Sequence, residues 1–593
     1  MSIASSSSRS LRSALKRPTG FRHRGAVTEL PLFLLPALSI RYQSSSSPSD
    51  TPKRRDKERY NYNTSLSFSE SPDPDHVHWR RVTAAELTSR KEPPTRVKML
   101  VRDFIDDSLY NPNYGYFSRN ATIFTPPKEG FDFTSFADTA AFQEAVAERY
   151  EKEYGLEPTT GQTGGLGRQV WHTPTELFKP YYAQTILTSI LQTYKLNHFP
   201  HEPLILYEVG AGNGSFMVDS LLYLKKNHPE IYEKVEYRII EISASLAKGQ
   251  KSRAEQEGLG DKVTVINSDF FKWDGTIPGK EKKDGEACFV VALEVFDNFA
   301  HDMIRYDIAT LTPFQAIVAI DNSGDFSLLY EPISDPLIRR VLAYKRLLPE
   351  SSSTMPPASS PLLRSNILRS IYSSLPFSPN LTQPDFLPTK AILFLETLRK
   401  LLPNHRLLIS DFDVLPDAVE GRNGPVVQTR YGGSMIPCET FLVKQGYFDI
   451  FFPTDFELLR DVYSIIMNSP SIITSSSPSS SGDATESKLT ASHTSSKKTG
   501  ALTPTSTQTQ TPLKAIPTDF FSGVKGFKRR KINIFTHNDF VDEFAGTSTS
   551  SGRRQNHGAG NGNGNGNEII RKTTLKNGEN IMKQLYNNVK VMF

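Results

Sequence analysis

Pro203-Leu204-Ile205-Leu206-Tyr207-Glu208-Val209-Gly210-Ala211-Gly212-Asn213-Gly214-Ser215 decides how this chain reads. Pro203-Leu204-Ile205-Leu206 is short, apolar and bounded by a proline, the pattern of a buried strand. Beyond it, Phe216, Val218, Leu221, Leu222 and Leu224 recur at helical spacing until Asn227-His228-Pro229. Ser215 is expected as the N-cap of that helix. Strand, glycine turn and helix follow one another. Such a turn lets backbone approach a ligand without a Cβ in the way, and it opens a helix whose first N–H groups lack partners. A dinucleotide site would require Gly-x-Gly-x-x-Gly. The third glycine would then fall at Ser215 or Met217, and neither is glycine. A glycine turn that binds nothing is the alternative.

The segments that follow favour a nucleotide-type sheet. Val235 to Ile240 reads as a second strand with Glu241 at its end, where a carboxylate can accept both ribose hydroxyls. Lys262 to Ile266 reads as a third, followed by Asn267-Ser268-Asp269-Phe270. Ala287 to Leu293 is a fourth, nearly all apolar, as a strand covered on both faces should be. The spacing Glu208-x-Gly210-x-Gly212-x-Gly214 resembles the first motif of class I methyltransferases, which bind S-adenosylmethionine. That resemblance implies that Glu208, Gly210, Gly212 and Gly214 face the methionine half of the cofactor, and that Asp269 faces the adenine amino group.

Composition sets bounds on the rest. The apolar fraction of 37% is low for a purely globular chain and fits a core with polar tails. Two cysteines, Cys288 and Cys438, argue against a disulfide framework or a cysteine-rich metal site. No metal site is expected. A net charge of +5 spread over 593 residues gives no footprint for nucleic acid. The compact run Lys528-Arg529-Arg530-Lys531 reads as a solvated cluster. The most apolar stretch, Leu30 to Ile40, has eleven residues and two prolines, too short to span a bilayer.

Taken in order, residues 1–45 are rich in arginine and serine and poor in acids, the pattern of a mitochondrial targeting segment. Residues 46–92 are expected as a disordered linker. A methyltransferase domain is expected over 93–466, beginning with an amphipathic helix through Val97, Leu100, Val101, Phe104 and Ile105. A capping box is expected at Thr173-Pro174-Thr175-Glu176. Ile304 to Tyr306 and Phe314 to Ile320 read as a small strand excursion over the cofactor site. Arg406 to Asp411 reads as a fifth strand of the main sheet. Residues 467–524 are expected as a disordered insertion. Residues 525–545 supply the last strand and a helix, 546–567 form a low-complexity linker, and 568–593 form a C-terminal segment with no assigned role.

The turn Pro112-Asn113-Tyr114-Gly115-Tyr116, the Thr-Pro-x-Glu helix start, the glycine motif, Glu294-Val295-Phe296-Asp297-Asn298 and the late Ile409-Ser410-Asp411 arrive in one order. Together they resemble the MidA family, mitochondrial methyltransferases that assist assembly of respiratory complex I. The resemblance covers about residues 95 to 465, with departures at Leu293 and at Phe412-Asp413. It implies an α/β fold, Rossmann-like, with a seven-stranded, mostly parallel sheet, a helical N-terminal part and disordered insertions. It also implies S-adenosylmethionine as cofactor, a mitochondrial matrix location and methylation of an arginine on a complex I subunit.

Glu294 and Asp297 stand three apart just past the fourth strand, where substrate meets cofactor in class I enzymes. A paired carboxylate can hold a guanidinium bidentately and leave one nitrogen free to attack a methyl group. Glu294 is expected as the guanidinium clamp and Asp297 as its helper. Two other functions compete: a catalytically silent scaffold that keeps the fold, which the altered motifs favour, and an NAD-linked oxidoreductase, which Ser215 and Met217 disfavour.

Overall fold

The computed structural model describes residues 74–119, 121–154, 169–280, 285–348, 360–376, 378–431, 434–468, 519–520, 530–545 and 566–593. The targeting segment, most of the expected insertion at 467–524 and the Gly-Asn linker lie outside them. The main sheet has seven strands, here β1 Ile205–Val209, β2 Glu236–Glu241, β3 Val263–Asn267, β4 Cys288–Leu293, β5 His405–Phe412, β6 Ile534–Thr536 and β7 Val589–Met592. Their spatial order is β6-β7-β5-β4-β1-β2-β3. β3, β2, β1, β4 and β5 pair in parallel, and β7 runs antiparallel to both β5 and β6. Parallel neighbours on both sides explain why every residue of β1 is buried.

Alternation along β1 builds two apolar layers. Ile205, Tyr207 and Val209 join one cluster with Phe394, Leu395, Leu459, Val462 and Ile466, which come from helices Thr389–Leu401 and Phe456–Asn468. Leu206 and Glu208 point the opposite way, where Tyr181–Asn197 packs on the helix that follows the glycine turn. Each fully buried aliphatic or aromatic side chain contributes roughly 1.5–3 kcal/mol. The helices that matter to the site are α1 Val101–Tyr110, α2 Ser215–Asn227 and α3 Ala244–Gln256.

The structure corrects several expectations. Val97–Leu100 is a strand, and the helix begins only at Val101. That strand pairs with Pro313–Ile320 in a second, six-stranded sheet that also holds Arg80–Arg81, Asp302–Tyr306, Phe326–Pro332 and Asp385–Leu387. The expected excursion is therefore a full layer, and it carries α1. Residues 74–92, expected within the disordered linker, are placed: Arg80 and Arg81 pair with Val97 and Lys98, and Leu87 is buried. The last strand is not the one near Lys531. β6 sits at the sheet edge, and the C-terminal segment inserts between it and β5 as β7, with Val591 and Met592 wholly buried. No helix among the described residues is long and apolar enough to cross a membrane.

Candidate active site

The glycine turn follows β1. Gly210, Gly212 and Gly214 all have positive φ (71°, 52° and 74°), a region that L side chains enter at a cost of roughly 1–2 kcal/mol. A Cβ on Gly212 would lie 2.7 Å from Ile123 Cδ1, and one on Gly210 would lie 3.0 Å from Val295 Cγ2. The turn is thus hemmed in by the segment before Thr125 on one side and by the residue after Glu294 on the other. Gly214, not Ser215, is the N-cap of α2, and no side chain caps it. The Ser215 hydroxyl is used elsewhere: it donates to the Glu176 carboxylate, 2.9 Å from each oxygen. For that reason the capping box is half made. The Thr173 side chain accepts the Glu176 N–H at 3.2 Å, but the Glu176 carboxylate leaves its own helix for the glycine turn.

Two residues absent from the sequence reading tie the turn from α3. Gln250 donates from one amide nitrogen to Gly212 O at 2.8 Å and to Glu241 at 2.9 Å. Arg253 donates to Asn213 O at 2.8 Å and to Ser215 Oγ at 2.9 Å. Their spacing of three on the helix after Glu241 was the available signal, since it places both on one face.

The predicted acids stand at the carboxyl ends of their strands. Glu208 is buried and accepts the Tyr237 hydroxyl at 2.7 Å, and burial pushes its carboxyl up to about 8. Glu241 is buried, accepts the Ser243 N–H at 2.9 Å, and is raised by burial against the pull of that bond and of Gln250. Asp269, at the end of β3, spends one oxygen on the Phe271 N–H at 3.0 Å and has Lys272 at 3.7 Å from the other. A nucleoside fits this set. Each Glu241 oxygen keeps a lone pair for a ribose hydroxyl, and Gln250 Oε1 is buried without a hydrogen-bond partner. The glycine turn supplies the close backbone approach that the methionine end requires. A separate cleft of about 1190 Å³ runs along α2 and α3 and meets the turn at Gly212 and Asn213, away from Glu294 and Asp297.

Past β4 the chain turns sharply. Glu294 has φ +53°, and its N–H donates to Ser410 O at 2.9 Å. The Asp411 carboxylate at the end of β5 accepts the Phe296 N–H at 2.8 Å and the Asp297 N–H at 3.3 Å. β5 therefore fixes the Glu-x-x-Asp turn of β4 by backbone and side chain together. Glu294 keeps some solvent contact, yet burial, helped by Asp297 and Glu176, pushes its carboxyl up to about 8. Asp297 is 1% exposed, is raised by burial to about 6, and has one oxygen without a hydrogen-bond partner. Burial and then Asp297 hold Asp411 well above the usual carboxylate range. Tyr110, at the end of α1, donates to Asn298 O at 3.2 Å. Burial, followed by the carboxylates of Asp106, Asp297, Asp449 and Asp269, keeps its phenol un-ionised. Glu294 and Asp297 are thus brought together, with Tyr110 and Asp411 added. No Lys or Arg among the described residues pairs with Glu294, Asp297 or Asp411.

Residues 185–472 match the family model described as "Putative S-adenosyl-L-methionine-dependent methyltransferase". Over those residues the chain is similar to that family. Three of the MidA-like motifs, the glycine motif, Glu294–Asn298 and Ile409–Asp411, fall within this domain, which is a methyltransferase whose cofactor is S-adenosylmethionine. The chain is also 24% identical over 347 residues to the Schizosaccharomyces pombe protein arginine methyltransferase NDUFAF7 homolog, mitochondrial. The match spans 56% of this chain and 67% of that protein. A Burkholderia thailandensis protein crystallised with S-adenosyl-homocysteine overlays on 67% of this chain and 79% of its own, with 16% identity and a TM-score of 0.38. A SAM-dependent methyltransferase from Aquifex aeolicus overlays on 40% of this chain and 71% of its own, with 14% identity and a TM-score of 0.19.

Proposed function

We propose that this chain is a mitochondrial protein-arginine N-methyltransferase that modifies an arginine on a complex I subunit and supports complex I assembly. One observation carries the reading: Glu294 and Asp297 are held beside the glycine turn with no cation paired to them among the described residues. The name of the fission yeast relative, which specifies protein arginine and mitochondrial, supports the same reading, as does the arginine-rich segment at 1–45.

The chemistry follows from charge. Unpaired buried carboxylates cost several kcal/mol each unless they stay protonated or meet a cation. Both groups are raised, Glu294 to about 8 and Asp297 to about 6, so near pH 7 Glu294 keeps its proton while Asp297 is mostly ionised, and an arriving guanidinium favours the ionised form of both. Glu294 accepts two N–H groups of the guanidinium and draws its positive charge to that side, which leaves one nitrogen toward the cofactor. Asp297, fixed through Asp411, holds the second edge. S-Adenosylmethionine, when bound, supplies the methyl group and leaves as S-adenosylhomocysteine. Transfer would form a nitrogen–carbon bond as the sulfur–carbon bond breaks, and the methylated nitrogen, which faces away from Glu294, would release one proton to solvent. Glu208, Glu241 and Asp269 hold the cofactor's amine, ribose and adenine, and the three glycines admit its methionine end.

The test is transfer of isotope-labelled methyl groups to dissociated mitochondrial complex I subunits, with the modified residue located by mass spectrometry. The expected product is methylated arginine, lost in Glu294→Gln. Folded protein that binds S-adenosylmethionine yet labels no arginine would overturn the reading.

A further inference from the structure

Away from the Glu-x-x-Asp turn, several buried acids among the described residues have a cation or hydroxyl partner. Asp302 holds Arg102 at 2.7 Å and the Thr389 hydroxyl at 2.8 Å. Asp385 holds Lys345 at 3.0 Å, Asp106 holds Lys390 at 2.8 Å, and Asp107 accepts the Tyr114 hydroxyl at 2.7 Å. Asp449 breaks the pattern. It is 0% exposed and has no cation partner among the described residues; only the Ile450 N–H and the Asn298 amide act on its carboxylate, and neither makes a well-formed hydrogen bond.

Its location gives the exception a meaning. Strand Asp449–Phe451 belongs to a small three-stranded sheet remote in sequence from β4. It nevertheless lies against the Glu-x-x-Asp turn: the Phe452 N–H donates to Asp297 O at 2.7 Å, and the Asn298 amide reaches Ile450 O at 3.5 Å. Asp297 has its own unpartnered oxygen. Tyr110 lies among these carboxylates, with Asp106 behind it on α1 and Asp269 after β3. Lys390 is already paired with Asp106 at 2.8 Å.

We propose that Asp449 is a further substrate-binding carboxylate, which with Asp297 forms the second jaw of a two-sided clamp for a planar, multi-donor cation. This inference rests on the arginine reading and sharpens it. A guanidinium carries five N–H donors in a fixed plane, and a single carboxylate takes two of them. Glu294 takes one edge. Asp297 and Asp449, from different elements, take another edge and set the plane of the group. A lysine ammonium is a point donor and cannot satisfy both jaws at once. The clamp therefore discriminates between cations by geometry as well as by charge. Burial, then the charge on Asp297, opposes ionisation of Asp449, which removes the cost of the empty clamp. Glu294, Asp297, Asp411, Asp269, Asp106 and Tyr110 are the titratable groups that share this environment.

The experiment uses the full chain with S-adenosylhomocysteine present and three probes: N-acetyl-arginine amide, N-acetyl-lysine amide and N-acetyl-citrulline amide. Binding is followed by calorimetry in the wild type, in Asp449→Asn and in Asp413→Asn, a surface control. The expected result is arginine binding in the wild type and control, at least tenfold weaker in Asp449→Asn, with citrulline bound by none. The gap between arginine and lysine should narrow in Asp449→Asn. Equal S-adenosylhomocysteine affinity in all three proteins shows that the variant is folded. Arginine affinity within twofold of wild type in Asp449→Asn would overturn the clamp while leaving the arginine reading intact. A wild type that binds none of the three probes would overturn both.

Discussion

The Asp411 carboxylate accepts the backbone N–H of Phe296 at 2.8 Å, so the end of β5 sets the conformation of the turn that ends β4. The same oxygen takes the Asp297 N–H, and the other takes the Phe412 N–H at 2.8 Å. An asparagine at 411 can accept on one side only and turns its own N–H₂ toward backbone donors on the other. Asp411→Asn is therefore expected to cost about 1–3 kcal/mol of stability. It should lower turnover at least tenfold while leaving S-adenosylmethionine affinity within about threefold, because the glycine turn is held by other groups. Denaturant melts, calorimetry and single-turnover assays measure the three quantities. Loss of cofactor binding in place of turnover would show that Asp411 supports the wrong half of the site for this account.

The C-terminal strand makes the second prediction. β7 inserts between β5 and β6, and Val589, Val591 and Met592 are essentially unexposed. Removing residues 586–593 leaves β6 without its sheet neighbour and opens the β5 edge. The truncated chain should show no cooperative thermal transition. Within the strand, Val591→Asp buries a charge and should cost roughly 3–5 kcal/mol. Lys590→Ala, which breaks exposed pairs to Asp413 and Glu457, should cost less than about 1 kcal/mol. A truncated chain that melts like the full one would mean the tail is dispensable.

What the sequence could reveal tracks how local each signal is. β1 and its glycine turn were legible because strand, turn and helix lie within some two dozen contiguous residues. β4 was legible because burial on both faces leaves an unbroken apolar run. Val97–Leu100 misled because its apolar positions suit either period, and only its pairing with Pro313–Ile320, far along the chain, makes it a strand. Val589–Met592 is only four residues long; the sequence hints at a β-like end to the tail but not at its place between β5 and β6. The site divides in the same way. Glu208, Glu241, Glu294 and Asp297 follow strands in a recognisable order. Gln250 and Arg253 reach the glycine turn, and Asp449 the Glu-x-x-Asp turn, only through tertiary contact. Asp449 did leave a trace, a lone acid between Phe448 and Ile450.

Glu294 gives a pH test. Its carboxyl sits at about 8 in the folded chain against an ordinary value near 4.5, with burial the main cause. The folded state thus keeps a proton that the unfolded state releases. The resulting stabilisation is complete below about pH 4.5 and disappears as pH rises through 8. Glu294→Gln removes this term. Because Glu208 and Asp219 also titrate high, at about 8 and about 7, the readout is the difference between wild type and variant. Relative to the variant, the wild type should lose on the order of 1–2 kcal/mol between pH 5.5 and 8.5, a Tm change of about 2–4 °C. Since Glu294 keeps some solvent contact, the full unscreened shift is not expected. Parallel Tm curves for the two proteins across that range would show that Glu294 is ionised throughout.

Gln250 joins the two halves of the cofactor site. One amide nitrogen reaches both Gly212 O and the Glu241 carboxylate, so the turn proposed to admit the methionine end and the acid proposed to take the ribose are set by the same side chain. Gln250→Ala removes both bonds, frees the turn and leaves Glu241 with backbone donors alone, Ser243 foremost. The expected loss is about tenfold in S-adenosylmethionine affinity, near 1.4 kcal/mol, with little change in melting temperature because α3 keeps its helix. Gln250→Glu should be worse than alanine, since a second carboxylate would face Glu241 and a carbonyl with no proton to donate. Lowering the pH should rescue the glutamate variant, by protonating it, and leave the alanine variant unchanged. Calorimetric titration of both variants at pH 6 and pH 8 separates loss of a donor from loss of packing. Equal affinity in alanine and glutamate variants at both pH values would mean that Gln250 acts only by filling space.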